Sequence, residues 1–343
     1  MHKLLRQVSR SFYLTLQVLP HTIKPQLSIA YLLARAADTI ADTGLVQVPK
    51  RMETLLQLRK SIEETANGRS VPVPDFGVLA EAQNEREGDG TPAERTLLEK
   101  LGSVLEALRS FPGNDRRWVR DVLLTITHGQ ELDLIRFGAA SASQIASIET
   151  EEDLDEYIYC VAGCVGAFWT KVCRAYPLSG IRIDDEALIS DGIQFGKGLQ
   201  LVNILRDLPK DLHHGRCYIP RDRLAQHGLE PHQLLDPNAI DRFNPLYEQY
   251  LKQAELYLSK GWRYTTTIPA RFMRIRLACS WPILIGIRTL QQLRSDNVLD
   301  DRHRIKLSRM DMRHLIIRSA ALYPFPGAWR RLFEKVKSET PPL

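Results

Sequence analysis

Apolar residues recur at intervals of three and four along most of the chain, which is the spacing of one face of an α-helix. The clearest amphipathic segments are "PQLSIAYLLARAADTIAD", "ERTLLEKLGSVLEALRSF", "RWVRDVLLTITHGQELDLIRF" and "NPLYEQYLKQAELYLSKGW". Strict alternation of apolar and polar residues is nearly absent, and no Asn-Gly or Asp-Gly turn separates two β-rich runs. The pattern therefore predicts an all-α fold.

The stretch from 66 to 94 interrupts the helical pattern. It reads "ANGRSVPVPDFGVLAEAQNEREGDGTPAE" and is rich in proline, glycine and charged residues, which is typical of a surface loop. Helical patterns of the same kind continue on both sides, so this loop does not mark a domain boundary. We therefore expect a single domain over residues 1–343.

One predicted helix carries a polar stripe on an otherwise apolar surface. At about 100° per residue, four side chains fall within roughly 60° of one another. They are Tyr31, Arg35, Asp38 and Asp42. Most other positions are Ile, Leu or Ala, so the helix should be largely buried. Two carboxylates one turn apart repel each other, and burying them requires a compensating cation.

A second aspartate pair with the same spacing lies in "NILRDLPKDLHHGRCYIP", residues 203–220. If the helix is continuous, this pair shares a stripe about 80° wide with two amide side chains. The four residues of the stripe are Gln200, Asn203, Asp207 and Asp211. Pro209 removes a backbone donor and disfavours helix just before it, so Asp211 is expected at a kink or a helix end.

Arginine stands close to each acidic pair, with Arg35 near the first and Arg206 and Arg216 near the second. A single pair of this kind is more often part of a solvated surface with salt bridges. Two pairs of oxygen ligands suit Mg²⁺, which keeps water molecules and shares phosphate oxygens with substrates. Arginine binds the same phosphates through two parallel hydrogen bonds. The two pairs together favour a site for Mg²⁺ and a diphosphate.

The formal net charge of +5 over 343 residues suits an anionic substrate or a membrane surface. The chain lacks the basic stripe with interleaved aromatic residues that is typical of nucleic-acid binding. The longest apolar run, Leu277 to Ile287, is shorter than the roughly 20 residues of a transmembrane helix. The first residues contain no apolar signal core. We expect a cytoplasmic protein, at most peripheral to the inner face of a membrane.

The cysteines argue for a reducing compartment, because five is an odd number and they form no repeating framework. Cys160 and Cys164 lie one helical turn apart. No second pair and no histidine cluster follows at zinc spacing, so we interpret both as thiols of the core.

Several motifs together resemble those of the squalene and phytoene synthases, the head-to-head trans-isoprenyl diphosphate synthases. Besides the acidic pairs, they are "VSRSF" (8–12), "YIYCVAGCVG" (157–166) and "GKGLQLVNILRDLPKDLHHGRCYIP" (196–220). The resemblance extends from about residue 9 to about residue 310 and is strongest to a bacterial squalene synthase. It implies an isoprenoid synthase fold, a single all-α domain around a large central apolar cavity.

The resemblance also implies roles for individual residues. The implied metal ligands are Asp38, Asp42, Asn203, Asp207 and Asp211. The implied diphosphate contacts are Arg10, Ser11, Tyr31, Arg35, Gln200, Asn203, Arg206 and Arg216. The four aspartates and Arg206 would take part in catalysis. Tyr157 matches the tyrosine that assists proton removal in the first half-reaction.

The implied reaction joins two molecules of farnesyl diphosphate, with Mg²⁺ as cofactor, to form presqualene diphosphate. Squalene synthases then reduce the rearranged cation with a hydride from NADPH (or NADH). Phytoene and dehydrosqualene synthases lose a proton instead, and related enzymes stop at a presqualene or hydroxysqualene product. A remote alternative is a non-catalytic scaffold that keeps the fold but loses the aspartates.

Segments near the C-terminus bear on the product. Residues 274–293 resemble a squalene synthase segment, and residues 304–311 resemble a basic segment that contributes to NADPH binding in those enzymes. The implied contacts to the nucleotide's phosphates are Arg10, Lys306 and Arg309. A solvated basic face would account for Lys306 and Arg309 equally well. Phytoene synthases share a Lys-Ser-Arg stretch near this point.

Two positions depart from the squalene synthase pattern. Ala41 stands where many eukaryotic squalene synthases have an acidic residue, and Ala278 stands where they have phenylalanine. Squalene is the expected product, with phytoene or dehydrosqualene as the alternative. Prenyl chain length and oligomeric state do not follow from the sequence. The segment "YPFPGAWRRLFEKVK" (323–337) is expected either at a membrane interface or packed on the domain.

Overall fold

A computed structural model describes residues 2–8, 12–44, 46–70, 76–82, 91–300, 302 and 305–339. Most of these residues lie in helices, and the strands among them are two segments of two residues each. The predicted all-α class is confirmed. The chain divides into two compact units, residues 1–138 with 168–181, and residues 139–167 with 182–343. That these units make up one domain stays a prediction.

The helices are named here in chain order. Those that precede residue 139 are α1 (His2–Val8), α2 (Phe12–Val18), α3 (Lys24–Asp42), α4 (Val48–Ala66), α5 (Gly77–Ala82), α6 (Pro92–Glu99), α7 (Leu101–Arg109) and α8 (Gly113–Phe137). Those that follow are α9 (Glu151–Ile158), α10 (Cys164–Ala175), α11 (Asp185–His213), α12 (Arg221–Gln226), α13 (Ile240–Thr267), α14 (Met273–Ser295), α15 (Arg309–Leu322), α16 (Pro326–Arg330) and α17 (Leu332–Ser338).

Shorter elements connect these helices. A π-helix, Tyr159–Gly163, joins α9 to α10, and two 3₁₀ turns, Pro231–Leu235 and Pro237–Ala239, precede α13. Strands β1 (Ala146–Ser147) and β2 (Arg216–Cys217) pair in parallel.

In the first unit, α3 and α4 both pack against α8. The apolar surface of α3 is buried as its sequence pattern predicts. Its core residues include Ile29, Leu32, Leu33, Ala36, Ala37 and Ile40. This burial explains how a helix that bears two carboxylates holds its position, because the apolar face provides the packing energy.

The segment 66–94 differs from the predicted loop. It contains α5, in which Leu79 and Ala80 are buried, and α6 begins at its end. Thr91 forms a capping box with Glu94 at the start of α6, each side chain bonding the other's backbone N–H. The proline and glycine content of the segment concealed α5, whereas most of α6 lies in "ERTLLEKLGSVLEALRSF", which was predicted to be helical. Residues 71–75 and 83–90 of the segment lie outside the described residues.

In the second unit, α11 packs against α13, and α13 packs against α14. Glycines allow the close approach. A Cβ atom added to Gly198 would lie 2.9 Å from Cβ of Tyr257 on α13, and one added to Gly196 would lie 2.3 Å from the carbonyl oxygen of Ala162 in the π-helix. Any side chain at these positions would push α11 away from its neighbours.

The C-terminal helices also pack on the second unit. Trp329 and Phe333 are buried, and each ring stacks on Trp262 of α13. The apolar run 277–287 lies within α14, where most of its side chains are buried. Among the described residues, no helix is long and apolar enough to cross a membrane.

Candidate active site

The first acidic pair occupies the last turn of α3, with Asp42 as the final helical residue. Asp38 accepts a short hydrogen bond from Nε2 of Gln130, which lies on α8. Nη1 of Arg35 lies 3.9 Å from Oδ2 of Asp38. Gln130 on α8 therefore supplies Asp38 with a neutral donor, and Arg35, three residues earlier on α3 itself, supplies a cation.

Arg35 is held by a second carboxylate. Its Nη2 donates to Oε1 of Glu94, the buried glutamate of the capping box on α6. Oε2 of Glu94 accepts from the backbone N–H of Thr91 at 2.8 Å. The guanidinium of Arg35 is hydrogen-bonded to Glu94 and forms a longer ion pair with Asp38, and both partners belong to packed helices. The burial of Glu94 makes Arg35 a positioned cation, as phosphate binding requires.

The surroundings of Asp38 disfavour the charged form of its carboxyl group. Burial, and then the negative charge of Asp42, raise the pKa of Asp38 from its ordinary value of 3.8 to about 6. Arg35 and Gln130 act in the opposite direction. Since 44% of the Asp38 side-chain surface is open to solvent, water screens part of the repulsion. Burial and Asp42 thus disfavour the charged form of Asp38 more than Arg35 and Gln130 favour it, and a bound cation would offset that difference.

The second acidic pair lies on α11, in the stripe that the sequence predicts. Asn203 is exposed, and Gln200, Asp207 and Asp211 are half-buried. The intervening residues are buried: Leu201, Val202, Ile204, Leu205, Leu208 and Leu212. Asn203 Nδ2 lies 3.5 Å from Oε1 of Gln200, at the limit of a hydrogen bond. These polar groups therefore share the open face of α11.

Arg206, which lies beside the stripe, forms a bidentate pair with Asp207. Nε of Arg206 donates to Oδ1 of Asp207 at 3.0 Å, and Nη2 donates to Oδ2 at 2.5 Å. Both side chains are about 30% exposed. Each carboxylate oxygen has a second lone pair, so Asp207 can still bind a cation. Arginine and a metal ion would share, and compete for, the same carboxylate.

The end of α11 places Asp211 and Arg216. The helix continues through Pro209 and ends at His213, so Asp211 lies in the last turn, at the helix end that was expected. Gly215 then adopts φ = 78°, and a Cβ there would lie 2.3 Å from the backbone nitrogen of Ser141. Arg216 follows in β2, where it pairs with Ala146 of β1. This glycine turn directs the chain from the helix into the strand.

Tyr157 is the second-last residue of α9, two positions before the π-helix begins, and is buried. Its ring stacks on Tyr218 with centroids 5.0 Å apart and planes at 23°. Helical insertions of this type are frequent at functional sites, because they re-aim neighbouring side chains. Arg216 lies in β2 and Tyr218 directly follows this strand, so one short segment provides both a cation and the ring that stacks on Tyr157.

The thiols have no chemical role that the structure supports. All five cysteines are buried and unlinked by disulfides. Burial raises the pKa of Cys164 and of Cys217 to about 12. Such thiols stay protonated and act as small apolar groups. The interpretation of Cys160 and Cys164 as core thiols is confirmed.

The donor set of each acidic pair suits Mg²⁺. Within the part of the chain that the structure describes, no group of three or more His, Cys, Asp and Glu side chains is placed to hold a metal ion. Mg²⁺ typically binds through one or two carboxylates, and water and phosphate oxygens complete its shell. Two carboxylates beside an arginine therefore fit Mg²⁺ with a diphosphate better than a metal ion held by protein alone.

The remaining predicted residues divide into three groups. Tyr31 is half-buried on α3, and its hydroxyl donates to the carbonyl oxygen of Val8 at 3.3 Å. Lys306 and Arg309 are exposed beside the start of α15. Arg10 and Ser11 lie outside the described residues.

Three neighbours of the predicted residues escape sequence reasoning: Gln130, Glu94 and Tyr218. Gln130 is 92 positions from the aspartate it bonds, and Glu94 is 59 positions from Arg35. A polar residue on the buried face of α8 was the available signal for Gln130, and the capping box was the signal for Glu94. For Tyr218 the available signal was its position two residues after Arg216 in the sequence.

An all-α chain with two helix-borne aspartate pairs beside arginines has the features of an isoprenoid synthase. The chain belongs to the squalene/phytoene synthase family, whose model matches residues 5–311. Members of this family are prenyltransferases.

Three proteins illustrate the similarity. A bifunctional lycopene cyclase/phytoene synthase of Arthroderma gypseum is 29% identical over 74% of this chain and 39% of its own length. A squalene synthase of Dictyostelium discoideum is 28% identical over 66% of this chain and 48% of its own. The structure of TcSQS with the ligand BPH1237 matches with a TM-score of 0.72 at 18% identity, covering 99% of this chain and 98% of that one. The chain spans less than half the length of these two curated relatives, and the structural match shows a shared fold.

Proposed function

We propose that this protein is a squalene synthase, which joins two molecules of farnesyl diphosphate through presqualene diphosphate and reduces the product with NADPH. The observation that carries the proposal is the recurrence of one arrangement. Asp38 on α3 and Asp207 on α11 each lie beside an arginine, Arg35 and Arg206, on the open face of an otherwise buried helix. Each acidic pair, with its arginine, is proposed to bind a diphosphate group.

The first step is departure of diphosphate from one substrate, which leaves an allylic carbocation. Bound Mg²⁺ would supply charge stabilisation to the leaving group. The ligands would be Asp38 with Asp42, and Asp207 with Asp211 and Asn203. Arg35 and Arg206 are proposed to donate to the diphosphate oxygens, where negative charge increases as the bond breaks. Tyr31, Gln200 and Arg216 are proposed as further contacts.

The second step is attack by the double bond of the other substrate on that cation, followed by loss of a proton to close a cyclopropane ring. Tyr157 is proposed to assist this proton loss through its hydroxyl oxygen. Stacking on Tyr218 fixes the plane of the ring, so the hydroxyl moves little from its position. A phenol is a weak base, so its contribution would depend on placement.

The final step distinguishes two candidate products. Presqualene diphosphate first loses its own diphosphate, and the cation that remains rearranges. In a squalene synthase a hydride from NADPH then quenches the rearranged cation, and Lys306 and Arg309, with Arg10, are proposed to bind the phosphates of the nucleotide. The second candidate is a phytoene or dehydrosqualene synthase, in which a proton is lost. The similarity to the bifunctional lycopene cyclase/phytoene synthase of Arthroderma gypseum favours that candidate.

A product assay tests the proposal. Purified protein is incubated with farnesyl diphosphate and Mg²⁺, with and without NADPH, and the extract is analysed by gas chromatography and mass spectrometry. Squalene that forms only with NADPH supports the squalene synthase. Dehydrosqualene that forms both with and without NADPH would instead support the dehydrosqualene synthase. Absence of hydrocarbon with farnesyl and with geranylgeranyl diphosphate contradicts both.

Variants of the acidic pairs complete this test. Asp38→Ala and Asp207→Ala should each abolish turnover without unfolding the protein, because both side chains lie at the open edge of their helices. Asp241→Asn, at an exposed position in the first turn of α13, serves as control. Activity that survives in both alanine variants would refute the assignment of the metal ligands.

A further inference from the structure

The second aspartate of each acidic pair lies in the last turn of its helix. Asp42 is the final residue of α3, and Asp211 is the third-last residue of α11, which ends at His213. The last four carbonyl groups of a helix have no partner within it, and the helix dipole places partial negative charge at that end. A carboxylate in the last turn adds to this negative charge, and helix ends fray. The two aspartates therefore occupy turns that need support from outside the helical hydrogen bonds.

Arg51 supports the last turn of α3. Its Nη1 donates to the carbonyl oxygen of Ala41, the residue directly before Asp42, at 2.7 Å. Arg51 belongs to the first turn of α4 and is only 7% exposed, so little water competes for this contact. The guanidinium gives a carbonyl of the last turn a charged donor, and it places positive charge at the negative end of the helix dipole.

His214 makes the corresponding contact at the end of α11. Its Nδ1 lies 2.7 Å from the carbonyl oxygen of Lys210, the residue directly before Asp211. A carbonyl oxygen accepts, so Nδ1 is the ring nitrogen that carries the hydrogen. The side chain of His214 is exposed, and a hydrogen bond open to water is weaker than one in the protein interior. The contact is therefore of the same kind as that of Arg51 but weaker.

We propose that Arg51 and His214 are positioning residues, each of which fixes the last aspartate of one acidic pair as a ligand of Mg²⁺. The inference rests on the proposed function, which assigns Asp42 and Asp211 to the metal ion. A ligand that is already in place binds a metal ion more tightly, because no ordering is required when the ion arrives. The support for the proposal is that a basic side chain bonds the same carbonyl, relative to the aspartate, in both helices.

Calorimetric titration with Mg²⁺ tests the proposal on one acidic pair at a time. An Asp207→Asn protein reports the first pair, and an Asp38→Asn protein reports the second. Arg51→Met should lower the Mg²⁺ affinity of the first pair by about tenfold, the order expected when a group that orients a metal ligand is removed. Arg51→Lys, which keeps the charge and one donor, should lose less. His214→Ala should lower the affinity of the second pair several-fold.

The crossed combinations are the matched controls. Arg51→Met in the Asp38→Asn protein and His214→Ala in the Asp207→Asn protein should leave the affinity unchanged, because each residue supports only its own helix end. General loss of stability would not produce this selectivity.

A third variant separates positioning from ordinary helix capping. Nε of Arg116 donates to the carbonyl oxygen of Ala66, the last residue of α4, at 3.1 Å, at the opposite end of that helix from Arg51. Arg116→Met should lower the melting temperature and leave Mg²⁺ affinity unchanged. Hydrogen exchange of the metal-free protein provides a readout without metal, since Arg51→Met should speed exchange in the last turn of α3 and leave its first turns unaffected.

The outcomes separate this inference from the proposed function. Unchanged Mg²⁺ affinity in Arg51→Met or in His214→Ala overturns the role of that residue, and an equal loss of affinity in Arg116→Met overturns the inference by making the effect one of stability. A parent protein that binds no Mg²⁺ overturns the proposed function and this inference with it. If Arg51→Met does not fold, Arg51→Lys and the exposed variant His214→Ala decide the question.

Discussion

The ring of Tyr157 stacks on the ring of Tyr218, with centroids 5.0 Å apart and an interplanar angle of 23°. Tyr157 lies near the end of α9, and Tyr218 directly follows β2. Both rings are more than nine-tenths buried. The two rings are therefore in direct contact, and we predict that this stacking positions the neighbouring phenol of Tyr157.

Replacement of Tyr218 separates the ring from the hydroxyl. Tyr218→Leu keeps an apolar side chain but loses the aromatic pair, which typically contributes about 1 kcal/mol. We expect a lower melting temperature and a turnover number that falls by about tenfold, with little change in KM, because a displaced phenol affects the step after binding.

Tyr218→Phe is the matched control for that experiment, since it keeps the stacked ring. It should retain most of the turnover of the parent protein. Equal losses in the phenylalanine and leucine variants would show that the hydroxyl of Tyr218 matters and that the stacking does not position Tyr157.

Arg206 has two partners in the proposed cycle, first Asp207 and then the diphosphate. In Arg206→Ala the carboxylate of Asp207 loses its bidentate cation. Turnover should fall by about 100-fold, the order of magnitude expected when one donor to a leaving anion is removed. Mg²⁺ binding measured without substrate should become tighter, because arginine no longer competes for Asp207.

Arg206→Lys provides the comparison, because it keeps the positive charge and loses the planar pair of donors. Turnover should lie between that of the parent and that of the alanine variant. If Mg²⁺ binding weakens in Arg206→Ala, Asp207 does not bind the metal ion, and the assignment of the second pair fails.

The helical period made much of this arrangement predictable. Asp38 and Asp207 lie on the open faces of α3 and α11 because apolar residues fill the other positions of each helix, and those positions are read directly from the sequence. The resemblance to the family then predicted which of these residues bind metal and diphosphate. What could not be read was long-range pairing: Gln130 and Glu94 reach their partners only because α8 and α6 pack against α3.

In the segment 66–94 the sequence pattern did not reveal a helix that the structure contains. Its composition is that of a loop, yet α5 buries Leu79 and Ala80 within it. Six residues are too few to display a helical period, and helices of this length are stable only through packing. The start of α6 was visible as Thr91 followed three residues later by Glu94, and the apolar pattern of residues 94–111 predicted the helix that this capping box begins.

Asp38 should be functionally essential and costly to stability. Its carboxylate is placed against Asp42, and burial disfavours its charged form. Asp38→Asn should therefore raise the melting temperature of the metal-free protein at pH 8 while reducing turnover by about 100-fold or more. Thermal melting and the product assay measure the two effects on one preparation.

Asp241→Asn, away from the acidic pairs, should change neither quantity appreciably. A lower melting temperature for Asp38→Asn would mean that the hydrogen bond from Gln130 outweighs the repulsion by Asp42. That result would make Asp38 a structural residue of the contact between α3 and α8.

The raised pKa of Asp38 also predicts how Mg²⁺ binding depends on pH. In the folded, metal-free protein this pKa is about 6, above the ordinary 3.8, so the folded state holds a proton that the unfolded state releases between these values. The free energy of unfolding should therefore fall as pH rises from about 4 to about 6.

Mg²⁺ binds the deprotonated carboxylate, so binding near pH 6 releases a proton, and apparent affinity decreases below pH 6 by up to about tenfold per pH unit. Calorimetric titration in two buffers of different ionisation enthalpy measures the proton released. Asp207→Asn should keep this pH dependence because Asp38 is intact, and an affinity that does not change between pH 5 and pH 7 would remove Asp38 from the metal site.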